Sequence, residues 1–234
     1  MSRIKDAAVA ALWLLPSTQA KRDALARFGH VIHPTAVARP NLVWRVGRVE
    51  LGPSSRLGLL NTLKNMRAVS LSTGARVGRL NIISSHPVYR RLYPDGAALT
   101  LAADATITSR HSLDCAGGLS IGEMSLVAGR GSLFLTHSID PARDAQVAHP
   151  IVVGARTFMS ARCTVLGGAV LPDRSIFAAG AVVARSREPR SPGLYAGVPA
   201  RRIGDASGSW YDRTQSQTRR VYVPATGETI EDAF

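Results

Sequence analysis

Branched and large apolar residues return along this chain at every sixth position. One run is Val31, Val37, Val43 and Val49; a second is Leu51, Leu57 and Leu63; a third is Leu71, Val77 and Ile83. After an interruption come Leu101, Ile107, Leu113 and Leu119, then Ile121, Val127, Leu133 and Ile139. A second interruption precedes Val153, Met159, Val165, Leu171, Phe177 and Val183, which hold the same spacing throughout. A period of six fits neither the 3.6-residue helix nor the two-residue strand. It is the period of a β-solenoid, in which each hexapeptide is a short strand plus a corner, three sides close one coil, and stacked coils bury a continuous column. Gly52, Gly58, Gly78, Gly122 and Gly154 follow apolar positions, where glycine is expected for the backbone angles of a tight corner.

Steps of two, from Val49 to Leu51 and from Leu119 to Ile121, read as small corner insertions. The period is lost twice at greater length. Residues 84–100 carry His86, Pro87, Tyr89, Arg90, Arg91, Tyr93 and Pro94, and residues 140–152 carry Pro141, Arg143, His149 and Pro150. Both stretches are rich in turn-forming and polar residues and read as loops projecting from the column. Ahead of the repeats, Arg3 and Lys5 followed by the apolar run Ala7 to Leu15 imitate a secretory signal, but Asp6 stands in the wrong region for one. The run is far short of a membrane span. A short helix ending before Pro16 fits better, capping the solenoid or making peripheral contact with a membrane. The organisation expected is a helical segment over 1–30, an all-β solenoid over 31–183 with loops at 84–100 and 140–152, and a C-terminal cofactor-side segment and tail over 184–234.

Composition sharpens this picture. Apolar residues make up 45% of the chain but aromatics only 6%, so the core is narrow and packed by small and branched side chains. The formal charge of +13 attracts polyphosphates. The arginines are nonetheless spread along the repeats, without a block of like charge or an interleaved aromatic platform, which argues against nucleic acid and for a phosphate-rich small ligand. Two isolated cysteines, Cys115 and Cys163, make neither a disulfide framework nor a thiolate metal site. They suit a reducing compartment, the cytoplasm, at the inner face of the membrane if the first helix rests there.

Ile121-Gly122, Thr136-His137-Ser138, Pro150 to Gly154 and Ala196-Gly197-Val198-Pro199-Ala200-Arg201 follow one another in an order that resembles the hexapeptide-repeat acyltransferases. Within them it is most similar to the maltose, galactoside and polysaccharide O-acetyltransferases, and the likeness covers roughly residues 31 to 203. It implies a left-handed parallel β-helix, an exception to the right-handed crossover preference. It also implies an acetyl-CoA donor, a sugar or glycan acceptor in polysaccharide biosynthesis, a homotrimer and no metal. His137 occupies the place of the family's histidine. A hydroxyl is a poor nucleophile until deprotonated, and imidazole, with an ordinary pKa of ~6.5, takes that proton near neutrality and returns it to the thiolate. A backbone N–H would stabilise the charge on the thioester oxygen.

The likeness carries cofactor contacts to Ala161 and Ala179, small residues beside a pantetheine groove, and to Arg185, Arg201 and Arg202, cations for the phosphates. Galactoside-type relatives place an asparagine near Thr108 or Ser109 to hold the acceptor, and this chain has none there. His111 or Asp114 could take over that contact or orient His137. Tyr89, Arg91 and Tyr93 make a plausible acceptor wall. A sugar-amine N-acetyltransferase is an alternative, since an amine acceptor suits the same base. Zinc enzymes of the γ-carbonic anhydrase type share the solenoid but need three histidines from adjacent coils, and their close-spaced pair is missing. A non-catalytic scaffold would have no base at the loop.

Overall fold

The computed structural model describes residues 3–186 and 189–233. Their strands form three parallel faces around one column. The first face runs through Val31–Ile32, Arg48–Leu51, Ala68–Leu71, Ala98–Leu101, Leu119–Ile121, Ile151–Val153 and Val170–Leu171. The second takes Val37–Ala38, Arg56–Leu57, Arg76–Val77, Thr106–Ile107, Leu126–Val127, Phe158–Met159, Ile176–Phe177 and Leu194–Ala196, with Arg201–Gly204 added antiparallel. The third takes Leu42–Trp44, Thr62–Lys64, Ile82–Ser84, Ser112–Asp114, Leu133–Leu135, Thr164–Leu166 and Val182–Val183.

This is the expected parallel β-helix, and the six-residue period is its cause. Leu51, Leu71, Leu101, Ile121, Val153 and Leu171 stand in register up the first face. Leu57, Val77, Ile107, Val127, Met159 and Phe177 do so up the second. All of these are buried, and each aliphatic side chain so removed from water contributes roughly 1.5–3 kcal/mol.

Four inward positions depart from the expected spacing. Val31 is exposed and Val37 half-buried, and their neighbours Ile32 and Ala38 take the register of Leu51 and Leu57. Leu133 is exposed, and Phe134 fills the column in its place. The chain spends one extra residue at the corner Gly129-Arg130-Gly131, where both glycines have positive φ, and the phase slips by one. Ile139, 70% exposed, belongs to a projecting hairpin.

The glycines after the apolar positions also do a different job from the one expected. None of Gly52, Gly58, Gly78, Gly122 and Gly154 has positive φ. A Cβ on Gly78 would lie 2.5 Å from the Thr108 carbonyl oxygen, and one on Gly122 would lie 2.5 Å from the Gly154 carbonyl carbon. They are glycine because the next coil passes that close. Several left-handed corners are built from Leu60, Leu80, Arg110 and Arg162 instead, each N–H held by a carbonyl of the preceding coil.

A column of polar side chains lines the inside of that corner. Asn61 N–H donates to the Asn41 side-chain oxygen and Asn81 N–H to that of Asn61, each step spanning 20 residues. His111 and Ser132 continue the series.

The N-terminal segment is two helices rather than one, Arg3–Trp13 and Gln19–Ala26, the second capped by Thr18. Trp13 and Leu25 seal the column's open end. The buried Lys21 ammonium lies within hydrogen-bond distance of the Trp13, Leu15, Ala38 and Arg39 carbonyls, and burial lowers its pKa to about 8. No described helix is long and apolar enough to cross a membrane. At the other end the solenoid runs beyond 183 to Leu194–Ala196, where Tyr195 stacks on Phe177 at 4.9 Å.

Candidate active site

Both long insertions leave the corner where the third face turns into the first. Residues 84–100 are not structureless: Pro87–Leu92 is a helix capped by the His86 imidazole, and Ala98–Leu101 is already strand. The second insertion begins earlier than expected. It is an antiparallel hairpin of His137–Asp140 and Ala145–Ala148, with Ile151–Val153 back in the column. The polar pattern gave no warning of this start, because His137 and Ser138 look equally at home in a loop.

Register places Asp114 beside His137. Asp114 ends a third-face strand and pairs with Leu135 in the next coil, so the chain that leaves Leu135 passes over the Asp114 carboxylate. Oδ2 accepts from Thr136 N at 2.8 Å, Thr136 Oγ1 at 2.7 Å, His137 N at 3.0 Å and the His137 ring Nδ1 at 2.8 Å. Oδ1 accepts from Ala116 N at 3.2 Å. A carboxylate held by so many donors cannot swing, and it requires a proton on Nδ1. The neutral ring then carries its lone pair on Nε2. The His137 side chain is 43% exposed and Asp114 15%, so the imidazole faces outward over an anchored carboxylate.

Tyr89 backs the imidazole. Its ring lies 5.6 Å from that of His137, and its hydroxyl donates to Gln146 Oε1 on the hairpin at 2.9 Å. Burial, then Tyr93 and Asp114, raises the pKa of the phenol, which keeps it a donor. Tyr93 Oη accepts from Ala148 N. Arg67 fastens the insertion from below, with Nε donating to the Gly96 carbonyl and the guanidinium to those of Arg90 and Tyr93. Helix and hairpin thus clasp each other around His137. Gln146 and Arg67 lie in no motif and had no sequence signal.

The expected acceptor wall needs correction. Tyr89 is 2% exposed and packs against the base rather than facing a substrate, and Tyr93 is half-buried against the hairpin. Arg91 alone of that group is open. His111 does not face an acceptor either. It is buried, its Nδ1 accepts from Ser132 N and its Nε2 meets Thr108 Oγ1 at 2.9 Å. Burial lowers its pKa to about 4, so it is a neutral rung of the polar column. The sequence set His137 apart through the resemblance but did not show that His111 faces inward, because a corner histidine reads the same from either side of the column.

The cofactor candidates divide between corners. Ala161 and Ala179 share the second-to-third corner in successive coils, where Gly180 N donates to the Ala161 carbonyl. Arg185 is at the third-to-first corner, its aliphatic stem beside Gly168. Arg201 is exposed beyond the last coil, while Arg202 is tied to Asp205 and the Pro192 carbonyl and is not free for a phosphate. A cleft of about 700 Å³ in the tail, lined by Trp210, Arg213, Tyr222 and Glu231 among others, shares no residue with the His137 site. Burial raises the pKa of both cysteine thiols, so neither is a ready nucleophile. Among the described residues no group of three His, Cys, Asp or Glu could hold a metal ion.

No family model matches the chain, and no curated protein matches it in sequence. Similar solved structures exist. The polysialic acid O-acetyltransferase OatWY aligns with a TM-score of 0.49 and 16% identity, over 76% of this chain and 84% of that one. The hexapeptide-repeat acetyltransferase VCA0836 from Vibrio cholerae O1 biovar eltor, solved with acetyl-CoA, aligns at 0.39 and 17%, over 88% and 87%. AntD, an N-acyltransferase from Bacillus cereus solved with dTDP and 3-hydroxybutyryl-CoA, aligns at 0.47 and 10%, over 82% and 90%. All three of these are acyltransferases, and one is a hexapeptide-repeat protein.

Proposed function

We propose that this protein is an acyltransferase that moves an acetyl group from acetyl-CoA to a sugar or glycan hydroxyl, with His137 as general base and Asp114 as its orienting acid. The observation that carries the reading is the pair itself: an outward imidazole whose Nδ1 is committed to an anchored carboxylate, at the mouth of two clasped insertions. Nε2 takes the proton of the acceptor hydroxyl as its oxygen attacks the thioester carbonyl. The C–S bond then breaks and the same proton passes to the departing thiolate, so the base is regenerated. Asp114 stabilises the imidazolium formed between those events. Ala161 and Ala179 leave room for a pantetheine arm, and Arg185 and Arg201 supply cations for its phosphates. A trimer in which a neighbouring copy completes the groove belongs to the same proposal.

Incubating the protein with acetyl-CoA and a panel of sugars, oligosaccharides and amino sugars tests it, with free thiol as the readout. Release that depends on a hydroxyl acceptor and disappears in His137→Ala supports the reading. Release with amino sugars alone would make it an N-acyltransferase, and no acceptor-dependent release from folded protein would sink the activity.

A further inference from the structure

The helix that walls the proposed base has a second side. Pro87, Arg90 and Arg91 turn from it toward Asp6 of the first helix and Arg45 of the corner two coils away, and together they line a cleft of about 420 Å³. Three guanidinium groups meet there against one carboxylate. Asp6 is 4% exposed, and its Oδ2 lies 3.8 Å from Arg45 Nε, so it offsets a single charge. Arg90 is pinned in the cleft by its bond to the Arg45 carbonyl at 2.9 Å. The Arg91 side chain makes no hydrogen bond or ion pair among the described residues. Two positive charges therefore remain without an acidic partner in one concave site, which concentrates positive potential there.

Guanidinium forks match the paired oxygens of carboxylate and phosphate, and an amine or neutral ligand gains nothing from them. The cleft and the base share one short element: Tyr89 touches His137, and Arg90 and Arg91 follow it in the chain. Register sets the scale of the separation: the Arg45 corner lies four coil steps from the one that carries His137, at about 4.8 Å each. We infer that the acceptor is anionic, a saccharide carrying a carboxylate or phosphate that seats between Arg45 and Arg91 roughly 15–20 Å from the hydroxyl presented to His137. The anion is then not on the reacting carbon; it selects and aligns the acceptor. This rests on the reading of the His137 site as a transferase for its chemistry, while the anion site is argued from the cleft alone.

Binding measured without acetyl-CoA separates the two. Three oligosaccharides of equal length are titrated by calorimetry: one carboxylated, one phosphorylated, one neutral. Either anionic arm should bind about tenfold or more tighter than the neutral one, and the arm that does so names the anion. Arg91→Gln and the pair Arg45→Gln with Arg91→Gln should each erase most of that preference and leave neutral binding as it was. Both residues are exposed, and circular dichroism confirms the fold. In turnover the same variants should raise KM for the anionic acceptor with little change in kcat. Equal binding of all three ligands, or a preference that survives the double variant, overturns the anion site even if acetyl transfer is found. A retained preference without any transfer overturns the enzymatic reading and leaves the anion site standing.

Discussion

Two histidines in neighbouring coils have opposite fates. His111 sits inside the second-to-third corner, 2% exposed, with Nδ1 spent on Ser132 of the next coil and Nε2 on Thr108 of its own. His137 sits outside the third-to-first corner, with one nitrogen on an anchored carboxylate and the other facing out. The difference lies in the corners. The first carries no long insertion and passes each coil to the next through a column of asparagine, histidine and serine. The second carries both insertions and leaves their polar groups to pair with one another around an open edge. An imidazole becomes a rung in one place and a candidate base in the other, according to what its second nitrogen can reach.

That contrast can be broken most severely at the edge. His137→Ala should lower turnover by about 100-fold or more with an unchanged thermal midpoint; a variant of near-normal activity would falsify its role as base. The mirror experiment is His111→Ala, which should leave turnover within about twofold but cost about 2 kcal/mol of stability. It strips the Ser132 N–H of its acceptor and opens a cavity, and denaturant titration reads the loss.

Acid should act on the interior in the same sense. The folded His111 pKa, about 4, lies below the ordinary 6.5, so its neutral form is the one the fold prefers. Its contribution is complete above pH 6.5 and fades as pH falls toward 4, and His30, also lowered to about 4 by burial and then by Lys5, adds to the same trend. A loss of about 2 kcal/mol in all, after allowance for solvent screening, should show as a lower urea midpoint at pH 4.5 than at pH 7. An unchanged midpoint would mean that these rings charge without cost.

Asp114→Asn should cost on the order of tenfold in kcat, since the amide oxygen keeps the Thr136 and His137 N–H bonds but the amide NH2 gives up the Ala116 N–H bond, and the neutral side chain stabilises the imidazolium less. It tests whether the anchored acid serves the base or only the hairpin. The mildest change is His111→Asn, which continues the asparagine column: its stability cost should stay below about 1 kcal/mol, and the His111 share of the acid step should vanish.

The solenoid was legible because its signal is repeated: a residue such as Leu113 is inward for the same reason as Ile83 below it, and twenty such positions reinforce one another. The slip at Gly129-Arg130-Gly131 was not legible, since one extra corner residue changes phase without altering composition. The site was half legible. His137 stood out through its resemblance to a known motif; Asp114, 23 residues earlier, was one of two residues that could orient it, and coil register chose it over His111. Gln146, Arg67 and the arginine cleft pair segments that lie far apart in the chain, and no local pattern encodes them.

By itself, then, the sequence determined the period, the three-sided column and the places where the column is interrupted, because inward burial demands apolar residues at fixed intervals. Only the tertiary structure decided which histidine is sealed and which is presented, and which arginines share a cleft. Those outcomes depend on how far apart in space the coils bring residues that the chain keeps distant, and an interruption in a repeat carries no record of that distance.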